Sequence, residues 1–378
     1  MREVAVIGVD MIPFGRYKEK TPYELARIPV IGALKDAGIE WKKIEAAYVG
    51  HLRQGVTFGQ KVLMGVGQTG LPIVNVEGAC SSGAIAFREA YLAVASGLYD
   101  FAIAIGCEKQ PRGLVQIGLD DTDRILGFEP PTVIHALMAR RHMEDYGTTR
   151  EQFAKVSVKA QRNASVNPYA HYGKDVSVED VLNSRMINDP ITLLMCCPTS
   201  EGAAAAIVCS MEKARTCTTN PVKVAASSLC SEPYIGNLMG VGIHGTKPDT
   251  PNAAILSSQQ AYEQAGLGPE DLSFVEFHDA FATIEIQHYE EIGLCKKGEG
   301  GRLIDEGVVD FGGKCPVSPS GGLLGKGHPL GATGVAQVVE AVWQLRGQCD
   351  KRQVPNAKVG FTQTLGEGGV GCTHLFTV

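Results

Sequence analysis

No stretch of the chain approaches the roughly 18 uninterrupted apolar residues that a membrane helix requires. Apolar runs such as Tyr91 to Ala95 and Phe101 to Gly106 stop after a few residues, so no bilayer span is expected. Basic clusters are equally absent: nothing exceeds Lys42-Lys43 or Arg140-Arg141, and 35 Lys+Arg face 41 Asp+Glu for a net charge of −6. That balance excludes the positive footprint selected by nucleic acid or an anionic membrane surface. There is no basic segment ahead of a cleavable apolar core. Met1-Arg2-Glu3 runs directly into Val4 to Gly8, which predicts a first strand and a cytoplasmic setting. The eleven cysteines include no Cys-x-x-Cys pair, and a chain of this size can stabilise its core without disulfides. Reduced thiols are expected. Cys196-Cys197 are too close in sequence for a zinc clamp, and no metal site is expected.

What is present is a long, apolar chain. Its 378 residues, 44% of them apolar and 20% charged, suffice for two to three domain-sized cores. Its two halves resemble each other. Ala33 to Ile39, Ile44 and Ala46 to Val49 match Ala261 to Leu267, Leu272 and Phe274 to Phe277 at one constant offset. Each copy reads as a helix, a glycine stop (Gly38, Gly266), a loop and a buried strand. A looser pair is a small-residue helix Ala84 to Gly97 with strand Phe101 to Gly106, against Gly334 to Gly347 with Val359 to Thr364. Such alternation predicts an α/β fold with mostly parallel strands, in two halves of residues 1–220 and 221–378. The first half carries an excursion of about residues 110–195, broken at Pro130-Pro131, Asn167-Pro168 and Asp189-Pro190, with helices expected over Thr132 to Tyr146 and Glu151 to Ala164. It is the expected cover of a site. Glycine numbers 45, well above the usual share of about 7%, and clusters between apolar strands.

Four segments could carry chemistry. Cys80, in Asn75 to Gly83, follows a short strand at Pro72 to Val74 and opens a helix. Unpaired first-turn N–H groups would favour its thiolate, whereas a lone helical cysteine otherwise reads as a small buried hydrophobe. His328 lies between Gly327 and Pro329 in the glycine-rich stretch Ser320 to Gly334, a suitable base for a nearby thiol; the alternative is a loop histidine bonded to its own turn. Ser320, Gly321 and Gly322 open that stretch and are expected to contact substrate. His278-Asp279-Ala280-Phe281 ends the strand Ser273 to Phe277, where open α/β sheets bind ligands, with Asp279 expected to cap the next helix. The turn Leu365 to Gly371, with Gly366, Glu367 and Gly368, could bind an oxyanion through its N–H groups or be only a tight turn.

Together, in this order on a duplicated chain, these segments resemble the thiolases over essentially the whole length. In particular the chain looks like the sterol-carrier-type and archaeal branch, which has His-Asp where the classical thiolases have Asn-Glu. The resemblance implies the thiolase fold, with duplicated halves of mixed five-stranded sheets sandwiching helices. It implies that Cys80 is the acylated nucleophile, that His328 activates it, and that His278 helps bind the thioester oxygen. The N–H of Cys80 and the Gly366 to Gly368 turn would form a second oxyanion hole. Coenzyme A enters as co-substrate with acyl-CoA, and no covalently bound cofactor is implied. A homodimer is implied, and a small zinc-ribbon and OB-fold partner is compatible with the resemblance. One departure stands out. Thiolases place a second, acid/base cysteine either just before the closing turn or in His-Asp-Cys-Phe, and here those positions hold Leu365 and Ala280. Cys372 lies beyond the turn and is expected to pack in the last strand. Proton transfer at the α-carbon would then fall to His328, His278 or water. Three functions follow: thiolysis of a β-ketoacyl-CoA, with benzoylsuccinyl-CoA and acetoacetyl-CoA as candidate substrates; a retro-aldol cleavage of a β-hydroxyacyl-CoA; or non-catalytic binding of CoA esters.

Overall fold

In the computed structural model the described residues are 1–67, 70–111, 125, 127, 130–217, 220–233 and 251–378. Part of the expected covering excursion, residues 112–124, 126, 128 and 129, lies outside them. Among the described residues eleven strands are formed: β1 (Val4–Met11), β2 (Ala46–Gly50), β3 (Ile73–Val76), β4 (Phe101–Glu108), β5 (Met186–Asn188), β6 (Ile191–Thr192), β7 (Gly202–Ser210), β8 (Val222–Ser231), β9 (Phe274–Glu276), β10 (Val359–Gly366) and β11 (Val370–Thr377). β5 and β6 make a small separate ribbon. The other nine form one sheet in the order β3-β2-β4-β7-β1-β8-β11-β10-β9.

That order repeats outward from the middle. On one side β3, β2 and β4 are mutually parallel, and β7 and β1 follow antiparallel. On the other, β9 and β10 are parallel, and β11 and β8 follow antiparallel. The strand matching β3 is reduced to one parallel bridge between Val275 and Val317. The two patterns meet edge to edge at β1 and β8, where Ala5 pairs with Lys223 and Val6 with Val222. The sheet is therefore mixed, and antiparallel pairs predominate. Alternation of helix and strand argued for mostly parallel strands. It fails because β10 and β11 are joined by a tight turn, while β7 returns beside β4 only after the long excursion.

Local signals set the repeated helices. Thr21 caps the helix Pro22–Ala37 in a reciprocal box with Glu24, Pro22 occupies its first turn, and Gly38 ends it at φ 66°. The helix Ala253–Ala265 ends at Gly266, φ 67°. Both glycines adopt the left-handed conformation that a side chain would strain. The helices Ser82–Ala95 and Leu330–Leu345 are packed against each other and against strands of both patterns. The second is buried on every side except at Trp343, and its buried polar side chains Thr333, Gln337, Glu340 and Gln344 are all hydrogen-bonded. The two approach so closely that a Cβ at Gly334 would lie 2.2 Å from the Ala84 nitrogen. Backbone thus meets backbone where the nucleophile's helix meets the base's helix. The helices Pro131–Tyr146 and Arg150–Ser165 appear as expected, and the second packs Phe153, Val156 and Ala160 into one core with Phe277, Tyr289 and Leu323. Among the described residues no helix is long and apolar enough to cross a membrane.

Candidate active site

Cys80 sits in a 3-10 turn, Ala79–Ser81, between β3 and the helix that starts at Ser82. The turn is held from several directions. The Gly78 N–H donates to Ser82 Oγ (3.0 Å), the Ser82 hydroxyl donates to the Ala79 carbonyl (2.6 Å), and the Ser81 hydroxyl donates to the Thr364 carbonyl of β10 (2.9 Å). That last bond ties the nucleophile's segment to the strand leading into the glycine-rich turn. Gly366 completes the contact: a Cβ there would lie 2.3 Å from the Gly78 carbonyl oxygen. Only glycine lets the turn come this near to Cys80.

His328 reaches the same place from the start of the helix Leu330–Leu345. Its carbonyl accepts from Gln110 Nε2 (3.2 Å), and its Nδ1 lies 2.7 Å from Thr333 Oγ1. The Thr333 hydroxyl donates its single proton to the Pro329 carbonyl (3.1 Å), so it accepts from Nδ1–H. This arrangement leaves Nε2 with a free lone pair. His278 follows β9, with its ring centroid 5.0 Å from that of His328 and the planes at 75°. One ligating atom from each of Cys80, His278 and His328 falls within 4.8 Å of the others. Three distant segments therefore converge on one point. The same donor set is of the kind that takes zinc, and it is the one group among the described residues that could hold a metal ion.

The surrounding loops are anchored by buried acids. Asp279 accepts from the N–H groups of Leu323 (2.8 Å) and Leu324 (3.5 Å), so it caps the short helix Gly322–Gly325 rather than the helix after it, whose N-cap is Phe281. The expected cap is real, but it joins the His278 loop to the His328 loop. Glu276 accepts from the Ser320 N–H (3.0 Å) and hydroxyl (2.7 Å). Gly321 abuts Ala164, and Gly322 abuts Asp279. Ser320, Gly321 and Gly322 are all buried and none lines the cavity. In this structure they hold the loop that carries His328 against the His278 loop. Gln337 spans two elements, donating to the Phe277 carbonyl (2.7 Å) and accepting from Thr364 Oγ1 (2.8 Å).

A cavity of about 110 Å³ opens over the nucleophile, lined by Cys80, His278 and the turn Gly366 to Gly369. From the stretch read as a cover, Ile134, His135 and Met138 of the helix Pro131–Tyr146 reach the cavity. His288 also lines it, with Nδ1 paired to Glu291 and a buried Nε2 that meets no partner. The sequence reading missed His135 and His288, which lie inside ordinary helical patterns. Cys372 is buried in β11, as expected.

The electrostatics correct one expectation. Burial, and then the carboxylates of Glu367 and Glu108, push the Cys80 thiol up to about 12, outweighing the backbone N–H that acts the other way. The resting nucleophile is a thiol, not the thiolate that a first-turn position suggests. Burial lowers His328 to about 3, so its resting form is the neutral base. Burial and the neighbouring His328, His288 and His135 drive His278 well below the usual histidine value. A neutral thiol beside a neutral imidazole can release its proton only as charge is taken up elsewhere, that is, during attack on a bound carbonyl. The arrangement is suited to transfer of an acyl group to sulfur.

Comparison with known proteins agrees. The family model "Thiolase, N-terminal domain" matches residues 4–113 and "Thiolase C-terminal domain-like" matches residues 242–378. The chain is 41% identical to an acetyl-CoA acetyltransferase of Methanothermobacter thermautotrophicus, covering 100% of each. It is 40% identical to the benzoylsuccinyl-CoA thiolase subunit BbsB of Thauera aromatica, over 97% of this chain and 95% of that one. Among solved structures it resembles the Ltp2-ChsH2(DUF35) aldolase, with TM-score 0.87 and 26% identity over 100% of this chain and 98% of that one.

Proposed function

Because this chain belongs to the thiolase family and is an acyl-CoA acyltransferase of that family, we propose that it cleaves or forms a β-ketoacyl-CoA through an acyl-Cys80 intermediate. The convergence of Cys80, His278 and His328 within 4.8 Å carries this reading. In the degradative direction His328 Nε2 accepts the Cys80 proton as sulfur attacks the 3-keto carbon. His278 Nε2, buried and without a partner, donates to a substrate oxygen in its neutral N–H form. The N–H of Cys80 with those of the Gly366 to Gly368 turn receives the second oxyanion. The carbon–carbon bond then breaks, an acyl-CoA enolate leaves, and CoA collects the acyl group from Cys80.

Substrate and assembly belong to the same proposal. The relatives' names suggest two acyl classes, acetoacetyl-CoA and a bulky aromatic such as benzoylsuccinyl-CoA. The apolar side chains of Ile134, Met138 and Ile284 in the cavity favour the larger. A homodimer, and a small separate partner subunit, are supported by the family and by the names of a thiolase subunit and a DUF35 complex among its relatives. A retro-aldol cleavage of a β-hydroxyacyl-CoA is the second reading. It is favoured by the aldolase among similar structures and by Ala280 and Leu365 at the positions of the second thiol. Brief exposure to acetyl-CoA, benzoyl-CoA and succinyl-CoA, followed by intact-mass measurement and peptide mapping, separates the two. An acyl group on Cys80 is expected. Its absence from every donor would overturn the acyl-transfer reading.

A further inference from the structure

An acyl-transfer cycle of the kind proposed above needs one more proton carrier: a group that protonates the leaving enolate carbon and then takes the proton from incoming CoA. Neither Ala280 nor Leu365 can do this. His328 is committed to the Cys80 proton, with its other nitrogen held by Thr333. Glu367 remains on the turn. Its side chain is half-buried and lines the same cavity as Cys80 and His278. It lies near enough to Cys80 to be the largest influence on the thiol after burial. Among the described residues no hydrogen-bond donor or cation meets its carboxyl group.

An unpaired carboxylate beside a sulfur that must become anionic opposes catalysis, and beside an enolate it opposes it again. The conflict disappears if the carboxyl group is protonated when these charges form. Burial holds its pKa above the ordinary carboxylate range, in keeping with that state.

We propose that Glu367 is the acid/base residue of the carbon–carbon step, standing in for the missing second thiol. This rests on the acyl-Cys80 reading. In cleavage, sulfur bonds to C3, the C2–C3 bond breaks, and its electron pair moves to C2. Glu367–COOH delivers its proton to C2 and becomes Glu367–COO⁻, leaving acyl-Cys80 and a shortened acyl-CoA. The carboxylate then removes the proton from the CoA thiol. The CoA sulfur attacks the acyl carbon, and Cys80 departs and recovers its proton from His328. Two acyl-CoA products form, and every group returns to its starting state.

The test uses the full chain, with E367Q as the variant. Three readouts are followed: exchange of the acetyl-CoA α-hydrogens in deuterated water, acetylation of Cys80 by p-nitrophenyl acetate, and alkylation of Cys80 by iodoacetamide at pH 9. The leaving group of p-nitrophenyl acetate needs no proton. The α-hydrogen exchange is expected to fall by about 100-fold or more, the scale of a lost general acid/base, and by at least roughly 30-fold more than the acetylation rate does. Alkylation at pH 9 is expected to rise severalfold, because the ionised carboxylate no longer repels the thiolate. That readout needs no substrate and no partner subunit.

Exchange by E367Q within threefold of wild type would overturn the assignment, as would unchanged alkylation at pH 9. Loss of exchange in H288N with its retention in E367Q would also overturn it. A wild-type chain that exchanges α-hydrogens but never carries an acyl group on Cys80 would sink the acyl-transfer reading instead, so the two failures are distinguishable.

Discussion

Replacing Thr333 with Val tests whether the tautomer of His328 sets the rate of Cys80 acylation. The exchange conserves shape at a position that is 2% exposed, so packing is nearly unchanged. The Pro329 carbonyl, which the hydroxyl served, still accepts from the N–H groups of Ala332 (2.8 Å) and Thr333 (3.0 Å). The loss therefore centres on the His328 Nδ1–H. A buried donor without a partner costs about 1–3 kcal/mol, and the imidazole escapes that cost by moving its proton to Nε2, where it can no longer accept from Cys80. Populating the active tautomer against such a bias lowers the acylation rate by roughly 5- to 150-fold. The assay is rapid-quench mass measurement of acyl-Cys80 with a saturating acyl-CoA. T333S, which keeps the hydroxyl, should recover most of the rate, and the unfolding midpoint of T333V should fall by only a few degrees. A T333V chain that acylates within twofold of wild type would refute the argument.

Three other outcomes are expected. G366A must move the turn away from the Gly78 carbonyl, which its Cβ would approach to 2.3 Å; acylation should drop at least tenfold, with little change in thermal unfolding, and an unchanged rate would show that the turn's placement is not limiting. Q337L removes the link between the Phe277 carbonyl and Thr364, so kcat should fall with KM nearly constant, whereas a pure KM effect would contradict a positioning role. His374 is buried against Ser227, and burial lowers it to about 3. Because its folded value lies below the unfolded one of about 6.5, the stability it contributes is complete above pH 6.5 and is lost as pH falls towards 3. H374Q should flatten the fall in urea midpoint between pH 6.5 and 4, and an unaltered slope would assign acid sensitivity elsewhere.

Cys80, His278 and His328 were legible because each follows a boundary that sequence marks well: a strand before a helix, a strand end, a Gly-His-Pro stop. The helix-ending glycines Gly38 and Gly266 were legible for the same local reason. What depends on packing was not. His135 and His288 face the cavity only because two helices turn those sides towards it, and their spacing looks like that of any amphipathic helix. The state of the Cys80 thiol was misjudged because burial, and after it Glu367 and Glu108 from hundreds or tens of residues away in the chain, oppose ionisation. Ser320, Gly321 and Gly322 read as substrate contacts because glycines gather near ligands. In the fold, Ala164 and Asp279 leave no room for a side chain at Gly321 and Gly322, and Glu276 holds Ser320 by two hydrogen bonds.

The contact between the two central helices separates what can change in this molecule from what cannot. The spacing of sulfur and imidazole is fixed by main chain lying on main chain at Gly334 and Ala84, so drift in side-chain size cannot adjust it gradually. The side chains of Ile134, His135 and Met138 belong to a different element that merely roofs the cavity. New acyl preferences can therefore arise by exchanging roof residues alone, while the reacting atoms stay where the frame holds them. For anyone redesigning the acyl preference, the roof is the adjustable part and the helix pair should be left untouched.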